Sequence, residues 1–191
     1  MQAIYERVEN ELGHIPESQA RTNESYFSDL CESIIGQQLS NKAADTIIGR
    51  IKKLLPDESF TPESVFAADT ETLRDAGASY AKISYIKNLA QAWQDNEIEH
   101  DKFAELSDEE IIKELTKVKG IGRWTAEMFL MFSLGRSDVF SAGDLGLKNA
   151  MIKTYHLSDA PTKDELKALT DKWAPNRTLA CRILWRSLTL K

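Results

Sequence analysis

A chain of 191 residues, 42% of them hydrophobic, is long enough for one compact core or for two small helical lobes. We expect a soluble, intracellular protein, because no segment resembles a signal peptide or approaches the roughly 20 apolar residues of a membrane crossing. The net charge of −6 divides into −12 for residues 1–112 and +6 for residues 113–191. Either the carboxy-terminal part faces a polyanion or the helical surfaces simply differ in charge.

Apolar residues recur at helical spacing along most of the chain. The clearest sets are Phe27, Leu30, Cys31, Ile34 and Ile35, then Ala43, Ala44, Ile47, Ile48, Ile51 and Leu54, and then Ile83, Ile86, Leu89, Ala90 and Trp93. Thr61 and Ser107 are predicted helix caps, since acidic residues that complement the helix dipole follow each hydroxyl. The pattern predicts an all-α fold of about ten helices in a single domain, residues 1–191. The separated Cys31 and Cys181 are expected to be buried free thiols.

Residues 115–126 predict two helices joined by a tight turn. Gly120 and Gly122 flank Ile121, which would point inward and lock the hairpin. The glycines permit left-handed backbone dihedrals and leave room for a phosphate at the amides that open the second helix. The basic residues around the turn are Lys117, Lys119 and Arg123. The stretch therefore predicts a phosphate-binding hairpin, and an ordinary interhelical turn with a glycine cap is the alternative.

Asp144 ends a short loop, Ser141-Ala142-Gly143, at a predicted helix start. Aspartate is a favoured N-cap, so one interpretation is that this side chain only satisfies helix amides. A capping role is also compatible with a catalytic one, because the amides would hold the carboxylate in place. The nearby Asp138 is expected to cap or brace the loop.

These segments share an order with a known family. The hairpin is followed by Trp124-Thr125-Ala126, then Asp138-Val139-Phe140, then Asp144 and Leu147-Lys148. This order resembles the helix-hairpin-helix DNA glycosylases with a Gly/Pro-rich loop and an essential Asp, most closely the 3-methyladenine DNA glycosylase II branch. Further similar segments are residues 34–40, residues 77–90, and residues 173–177 continuing to Trp185, so the resemblance covers roughly residues 25–190.

The resemblance implies a fold of two helical lobes flanking a cleft, with double-stranded DNA as the partner. It makes Asp144 the catalytic carboxylate, which would stabilise the oxocarbenium character that develops on the sugar as the base departs. The implied reaction is hydrolysis of N-alkylated purines, of the 3-methyladenine and 7-methylguanine type, after base flipping. The alternatives are a glycosylase for deaminated or mismatched bases and a non-catalytic DNA-binding module.

In this family the residue that follows Arg123 distinguishes glycosylases that only remove the base from those that also cleave the DNA strand, because the latter carry a Lys at that position. Trp124 occupies the position in this chain, so the resemblance implies a glycosylase without lyase activity. Trp124 and Trp185 match base-pocket aromatics, which would attract a cationic alkylated base, although core packing is the alternative for both. Met128 falls where a relative has a tyrosine, which makes the pocket different in detail.

The resemblance also implies the DNA contacts and the cofactor requirement. Gln38 would fill the gap left by the flipped base, or be an ordinary solvent-facing glutamine, and Lys148 is expected to contact DNA. Expected ligands of a monovalent cation are the backbone carbonyls of Thr116, Val118 and Ile121. No other cofactor is expected, and two cysteines are too few for the iron-sulfur cluster of a related branch. A monomer in the cytoplasm, or on the nucleoid or in the nucleus, is the simplest expectation.

Overall fold

The computed structural model describes residues 1–16, 18–157 and 161–190. Within those ranges the chain is helical and contains no strand, which confirms the all-α prediction. The α-helices are α1 Gln2–Leu12, α2 Asn23–Gly36, α3 Asn41–Lys52, α4 Pro62–Ala67, α5 Thr70–Asp75, α6 Tyr80–Gln94, α7 Asp108–Thr116, α8 Arg123–Phe132, α9 Leu145–Tyr155, α10 Lys163–Thr170 and α11 Arg177–Ser187. Short 3₁₀ turns occupy Pro56–Glu58, His100–Lys102 and Asp171–Trp173.

The chain divides into two compact units. The central unit comprises residues 21–129, and the terminal unit comprises residues 1–20 and 130–191. The boundary falls after Phe129, inside helix α8. Along the described ranges, no helix has the length and apolarity needed to cross a membrane.

The central unit packs α2 and α4 against α6, with α3 beside α2 and α5 beside α6. An aromatic cluster lies in its core, where Phe129 meets Tyr26 at 5.3 Å between ring centroids and Phe103 at 5.7 Å, both edge to face. Thr61 and Ser107 each form a capping box, which confirms both predicted helix starts. The sequence pattern is therefore a sound guide to the helices of this unit.

The terminal unit packs α1 and α9 against α11. Val8, Ile15, Ile183 and Leu190 form a buried apolar cluster between α1 and the end of the chain's last helix. Arg186 of α11 donates hydrogen bonds to the carbonyls of Leu12, Gly13 and His14, which satisfies acceptors left open where α1 ends. Cys31 of the central unit and Cys181 of this one are buried free thiols, as predicted, and burial raises the pKa of Cys31.

Candidate active site

The hairpin joins α7, which ends at Thr116, to α8, which begins at Arg123. Two turn hydrogen bonds close it, from the Val118 N–H to the Leu115 carbonyl at 3.2 Å and from the Ile121 N–H to the Val118 carbonyl at 3.1 Å. The side chains of Val118 and Ile121 are buried. The prediction that Ile121 points inward is thereby confirmed.

The two glycines of the hairpin, Gly120 and Gly122, differ in why a larger residue would be unfavourable at their positions. Gly120 has a φ of 110°, and a Cβ there would lie within 3.0 Å of Cβ, Cγ and Cδ1 of Tyr85. Both the backbone conformation and the close approach of Tyr85 therefore require glycine at this position. Gly122 has open space around the position of its missing Cβ, with no heavy atom within 4 Å. Its backbone is therefore open to approach by a ligand.

Side chains from α6 and from the end of α2 hold the hairpin backbone. The Gln37 amide donates to the Gly120 carbonyl and to the Thr125 hydroxyl, both at 3.1 Å, and Asn88 donates to the Lys119 carbonyl at 3.5 Å. Lys82 in turn donates to the carbonyls of Ile35 and Gln37, at 2.8 and 2.7 Å. No sequence pattern predicts this bracing, because Gln37 and Gly120 are 83 residues apart in the chain.

The basic side chains around the hairpin are largely paired with carboxylates. Lys117 binds Glu114 at 2.6 Å. Arg123 binds Glu127 at 2.9 Å and also forms an ion pair with Glu109. The hydrogen bond between Arg123 and Glu109 raises the pKa of Arg123 and lowers the pKa of Glu109. The charges of Lys117 and Arg123 are thus balanced within the protein, and the spacing of Arg123 and Glu127, four residues apart on a helix, is a signal that could have revealed one of these pairs.

Asp144 is the N-cap of α9, as predicted. Its Oδ1 accepts the Leu147 N–H at 2.7 Å and the Trp185 indole N–H at 2.9 Å. Two donors, one from the same helix and one from α11, therefore hold one oxygen of the half-buried carboxylate. Sequence reasoning placed Trp185 in a base pocket or in the core and missed its contact with Asp144.

Phe132 and Gly146 surround the Trp185 indole within the terminal unit. The rings of Phe132 and Trp185 lie 6.0 Å apart between centroids, at an interplanar angle of 33°. A Cβ at Gly146 would approach Asp144 Oδ1 to 3.1 Å and the indole Nε1 to 3.5 Å. Gly146 lies inside α9, so its backbone conformation does not require glycine. A side chain at this position would instead crowd the contact between the carboxylate and the indole.

Asp138 braces the loop before Asp144, as expected. Its Oδ1 and Oδ2 accept from Nε and Nη2 of Arg177, at 2.7 and 2.8 Å, and Oδ1 also accepts the Arg177 backbone N–H at 3.3 Å. These bonds cap α11 and tie it to the loop. The hydrogen bond from Arg177 lowers the pKa of Asp138.

The remaining predicted residues lie on both units. Trp124, in the first turn of α8, has 40% of its surface exposed, and Met128 one turn later is buried; both belong to the central unit. Gln38, in the same unit, is exposed at a positive φ of 59° just after α2. Lys119 is exposed in the hairpin, and Lys148 is half-buried in α9 of the terminal unit. The structure thus brings Asp144 and Trp185 into contact and places the hairpin, Trp124 and Met128 on the central unit.

The predicted cation ligands fit a monovalent ion in their chemistry. Thr116, at the end of α7, and Val118 and Ile121, in the hairpin, offer backbone carbonyl oxygens, and Val118 uses one lone pair of its oxygen for the Ile121 N–H. Across the described part of the chain, no group of three His, Cys, Asp or Glu side chains is arranged to hold a metal.

Residues 31–176 match the family described as HhH-GPD superfamily base excision DNA repair protein. The chain belongs to this superfamily. The match spans the hairpin, Asp138 and Asp144, and it confirms the resemblance found in the sequence.

Particular relatives extend the likeness over nearly the whole chain. The chain is 36% identical over 188 residues to DNA-3-methyladenine glycosylase 1 of Schizosaccharomyces pombe, which covers 97% of this chain and 82% of that protein. The structure of the 3-methyladenine DNA glycosylase of that yeast in complex with abasic DNA superposes with a TM-score of 0.85, at 35% identity over 98% of this chain and 92% of that one. The DNA-3-methyladenine glycosidase of Bacillus halodurans gives a TM-score of 0.80, at 34% identity, covering 98% and 85%.

Proposed function

We propose that this protein is a DNA-3-methyladenine glycosylase that removes N-alkylated purines from double-stranded DNA in base excision repair. The observation that carries the proposal is the Asp144 carboxylate, held by N–H donors from Leu147 and Trp185. The relatives that bear this enzyme name, at 34–36% identity over nearly the whole chain, support the same assignment.

The chemistry assigned to Asp144 is electrostatic. As the bond between the sugar and the base breaks, positive charge develops on the sugar, and a fixed anion stabilises that charge more in the transition state than in the ground state. An alkylated purine is already a cationic leaving group, so protonation of the base matters less than stabilisation of the sugar. The carboxylate can also orient the attacking water. The target base has to leave the helical stack before this can happen.

The hairpin supplies the phosphate contact in this proposal. The α8 N-terminus presents its first amides, and Gly122 leaves the approach to them open. Arg123 would exchange Glu109 for a phosphate when DNA binds, because the pair is exposed to solvent and is therefore weak. Further contacts are assigned to Lys117, Lys119, Gly120, Lys148 and, at the gap left by the base, Gln38.

The candidates for recognition of the base are two tryptophans and a methionine, Trp124, Met128 and Trp185. Indole faces attract cationic alkylated bases. The exposed surface of Trp124 is available for such stacking. The preferred class of lesion is therefore a cationic N-alkylpurine, as in the 3-methyladenine glycosylase II branch.

The absence of a lysine at position 124 supports hydrolysis without strand cleavage. A lyase needs an amine that forms a Schiff base with the sugar, and the indole of Trp124 has none. Borohydride treatment during turnover should therefore trap no covalent complex with DNA, and the abasic strand should stay intact until alkali is added. A trapped complex would contradict this part of the proposal.

The remaining assignments concern the ion, the oligomer and the location. A structural Na⁺ or K⁺, where one is bound, would be held by the carbonyls of Thr116, Val118 and Ile121 and would add positive charge beside a phosphate. No cofactor takes part in the proposed reaction. One domain, residues 1–191, acting as a monomer on nucleoid or nuclear DNA is the simplest arrangement.

The test is the profile of bases released from DNA treated with a methylating agent, measured by mass spectrometry. Release of 3-methyladenine and 7-methylguanine is expected. Preferential release of uracil or hypoxanthine from matched substrates would instead indicate the deaminated-base glycosylase, and no release at all would indicate a DNA-binding module. Heat-treated protein provides the background for spontaneous depurination.

A further inference from the structure

The contact between Trp185 and Asp144 differs from an ordinary helix cap. The Oδ2 of Asp69, the N-cap of α5, also accepts two hydrogen bonds, but both come from the backbone and hydroxyl of Thr72. The second donor to Asp144 is an indole 41 residues away on α11. The first arrangement can form locally in any helix, whereas the second requires the folded terminal unit.

Two donors on one oxygen restrict a carboxylate in a way that one donor does not. One bond from the Leu147 N–H to Oδ1 restrains the last torsion angle of the side chain less than two bonds to the same oxygen do. The bond from Trp185, at 2.9 Å, adds to that restraint, and a hydrogen bond to a charged acceptor is stronger than one between neutral groups. The position of the negative charge is therefore defined by α9 and α11 together.

The surroundings preserve this contact. Gly146 leaves room where a Cβ would come within 3.1 Å of the carboxylate oxygen and within 3.4 and 3.5 Å of the indole Cδ1 and Nε1. Phe132 lies beside the indole ring, 6.0 Å between centroids. One orientation of Trp185 is favoured by the missing side chain at Gly146 and by the neighbouring ring of Phe132.

We propose that Trp185 is a positioning residue for the catalytic carboxylate and acts through its indole N–H, in addition to any contact that its face makes with the base. This rests on the proposed role of Asp144. The N–H bond keeps the carboxylate where it meets the positive charge of the sugar, so its loss lowers the rate of base release without removing the charge. The expected loss is about 10- to 100-fold, as for one hydrogen bond to a charged group.

The test compares two DNA duplexes that carry no base at the lesion site. One contains a pyrrolidine abasic analogue, which is protonated and mimics the sugar cation, and the other contains a neutral tetrahydrofuran abasic analogue. Neither offers a base for stacking, so stacking by Trp185 cannot contribute to the difference between them. The wild-type protein should bind the pyrrolidine duplex more tightly than the tetrahydrofuran duplex. Asp144→Asn should abolish that preference.

Trp185→Phe keeps an aromatic ring and removes the N–H. We expect it to lower the preference for the pyrrolidine duplex about tenfold or more, with tetrahydrofuran binding unchanged. Trp173→Phe is the matched control, because it makes the same substitution in the same unit at a ring that packs on Tyr155 and Phe140, and it should preserve the preference. Gly146→Ala perturbs the contact from the other side and should lower the preference in the same direction, which provides a second variant if Trp185→Phe unfolds.

The outcomes separate the two proposals. If the wild-type protein shows no preference for the cationic analogue, the electrostatic role of Asp144 is wrong. If the preference exists, requires Asp144 and survives in both Trp185→Phe and Gly146→Ala, only the positioning role of Trp185 is wrong. Equal weakening of both duplexes by Trp185→Phe would also overturn it, because it would indicate a general contact with DNA.

Discussion

The hairpin and the Asp144 loop are held in opposite ways. In the hairpin, side chains from α6 and from the residue that follows α2 hold the backbone: Gln37 and Asn88 donate to carbonyls, and Tyr85 packs on Gly120. At Asp144, a backbone amide and an indole N–H fix a side chain. The difference matches the proposed roles, since the hairpin would bind phosphate through main-chain amides and Asp144 would act through its carboxylate.

The two regions also treat charge differently. Arg123 of the hairpin is paired with two carboxylates, so its charge is compensated before any ligand arrives. Asp144 Oδ1 instead accepts hydrogen bonds from two neutral donors, the Leu147 amide and the Trp185 indole. In the proposed function Arg123 exchanges a carboxylate partner for a phosphate, whereas Asp144 keeps its two neutral donors.

The largest expected effect on stability is that of Gly120→Ala. The added methyl group would meet Tyr85 within 3.0 Å, and alanine is strained at a φ of 110°. We expect a loss of about 3 kcal/mol or more in the free energy of unfolding, measured by urea denaturation. Tyr85→Ala should not restore it, because the Tyr85 Cβ itself is one of the clashing atoms. A loss below about 1 kcal/mol would mean that the hairpin is held less firmly than described.

Asp138→Asn tests how the Asp144 loop is braced. Removing the charge that binds Arg177 should lower the free energy of unfolding by about 1–3 kcal/mol near neutral pH. The pKa of Asp138 is lowered in the folded protein, so its stabilisation is complete above the pKa of an unfolded aspartate and disappears as the pH falls through the folded value. The unfolding curves of variant and wild type should therefore converge in acid.

The control for this prediction is Asp171→Asn, which breaks an exposed pair with Lys167 and should change stability by less than about 0.5 kcal/mol. A difference between Asp138→Asn and wild type that persists unchanged in acid would contradict the assigned role of the ion pair.

Gly122→Ala should affect DNA binding and leave stability unchanged, in contrast to Gly120→Ala. No atom lies within 4 Å of the added methyl group, and the backbone there is not left-handed. The methyl group would stand where a phosphate approaches, so affinity for abasic DNA should fall about tenfold, measured by fluorescence anisotropy. Unchanged affinity would remove Gly122 from the predicted DNA contacts.

Glu109→Gln should have the smallest effect. It frees Arg123 from one of its two carboxylates, so DNA affinity should rise about two- to threefold, with a steeper dependence on salt concentration. Glu63→Gln in α4 changes the net charge equally and serves as the control for a general charge effect. Equal responses of the two variants would show that the pair with Arg123 has no specific influence.

Much of the fold and part of the site could be predicted from the sequence. The caps at Thr61, Ser107 and Asp144 and the inward Ile121 depend on residues within a few positions of each other, so local patterns reveal them. The bond from Trp185 to Asp144 and that from Gln37 to the hairpin depend on tertiary packing across 41 and 83 residues. Residue type alone could not distinguish the bracing Gln37 from its exposed neighbour Gln38.

The charge on Asp144 is tested most directly by Asp144→Asn, measured as single-turnover release of 3-methyladenine from duplex DNA. Asparagine is also a good N-cap, so the fold and DNA binding should persist while the rate falls roughly 100- to 1,000-fold. Asp69→Asn makes the same substitution at the N-cap of α5 and should retain the wild-type rate. A wild-type rate in Asp144→Asn would contradict the account.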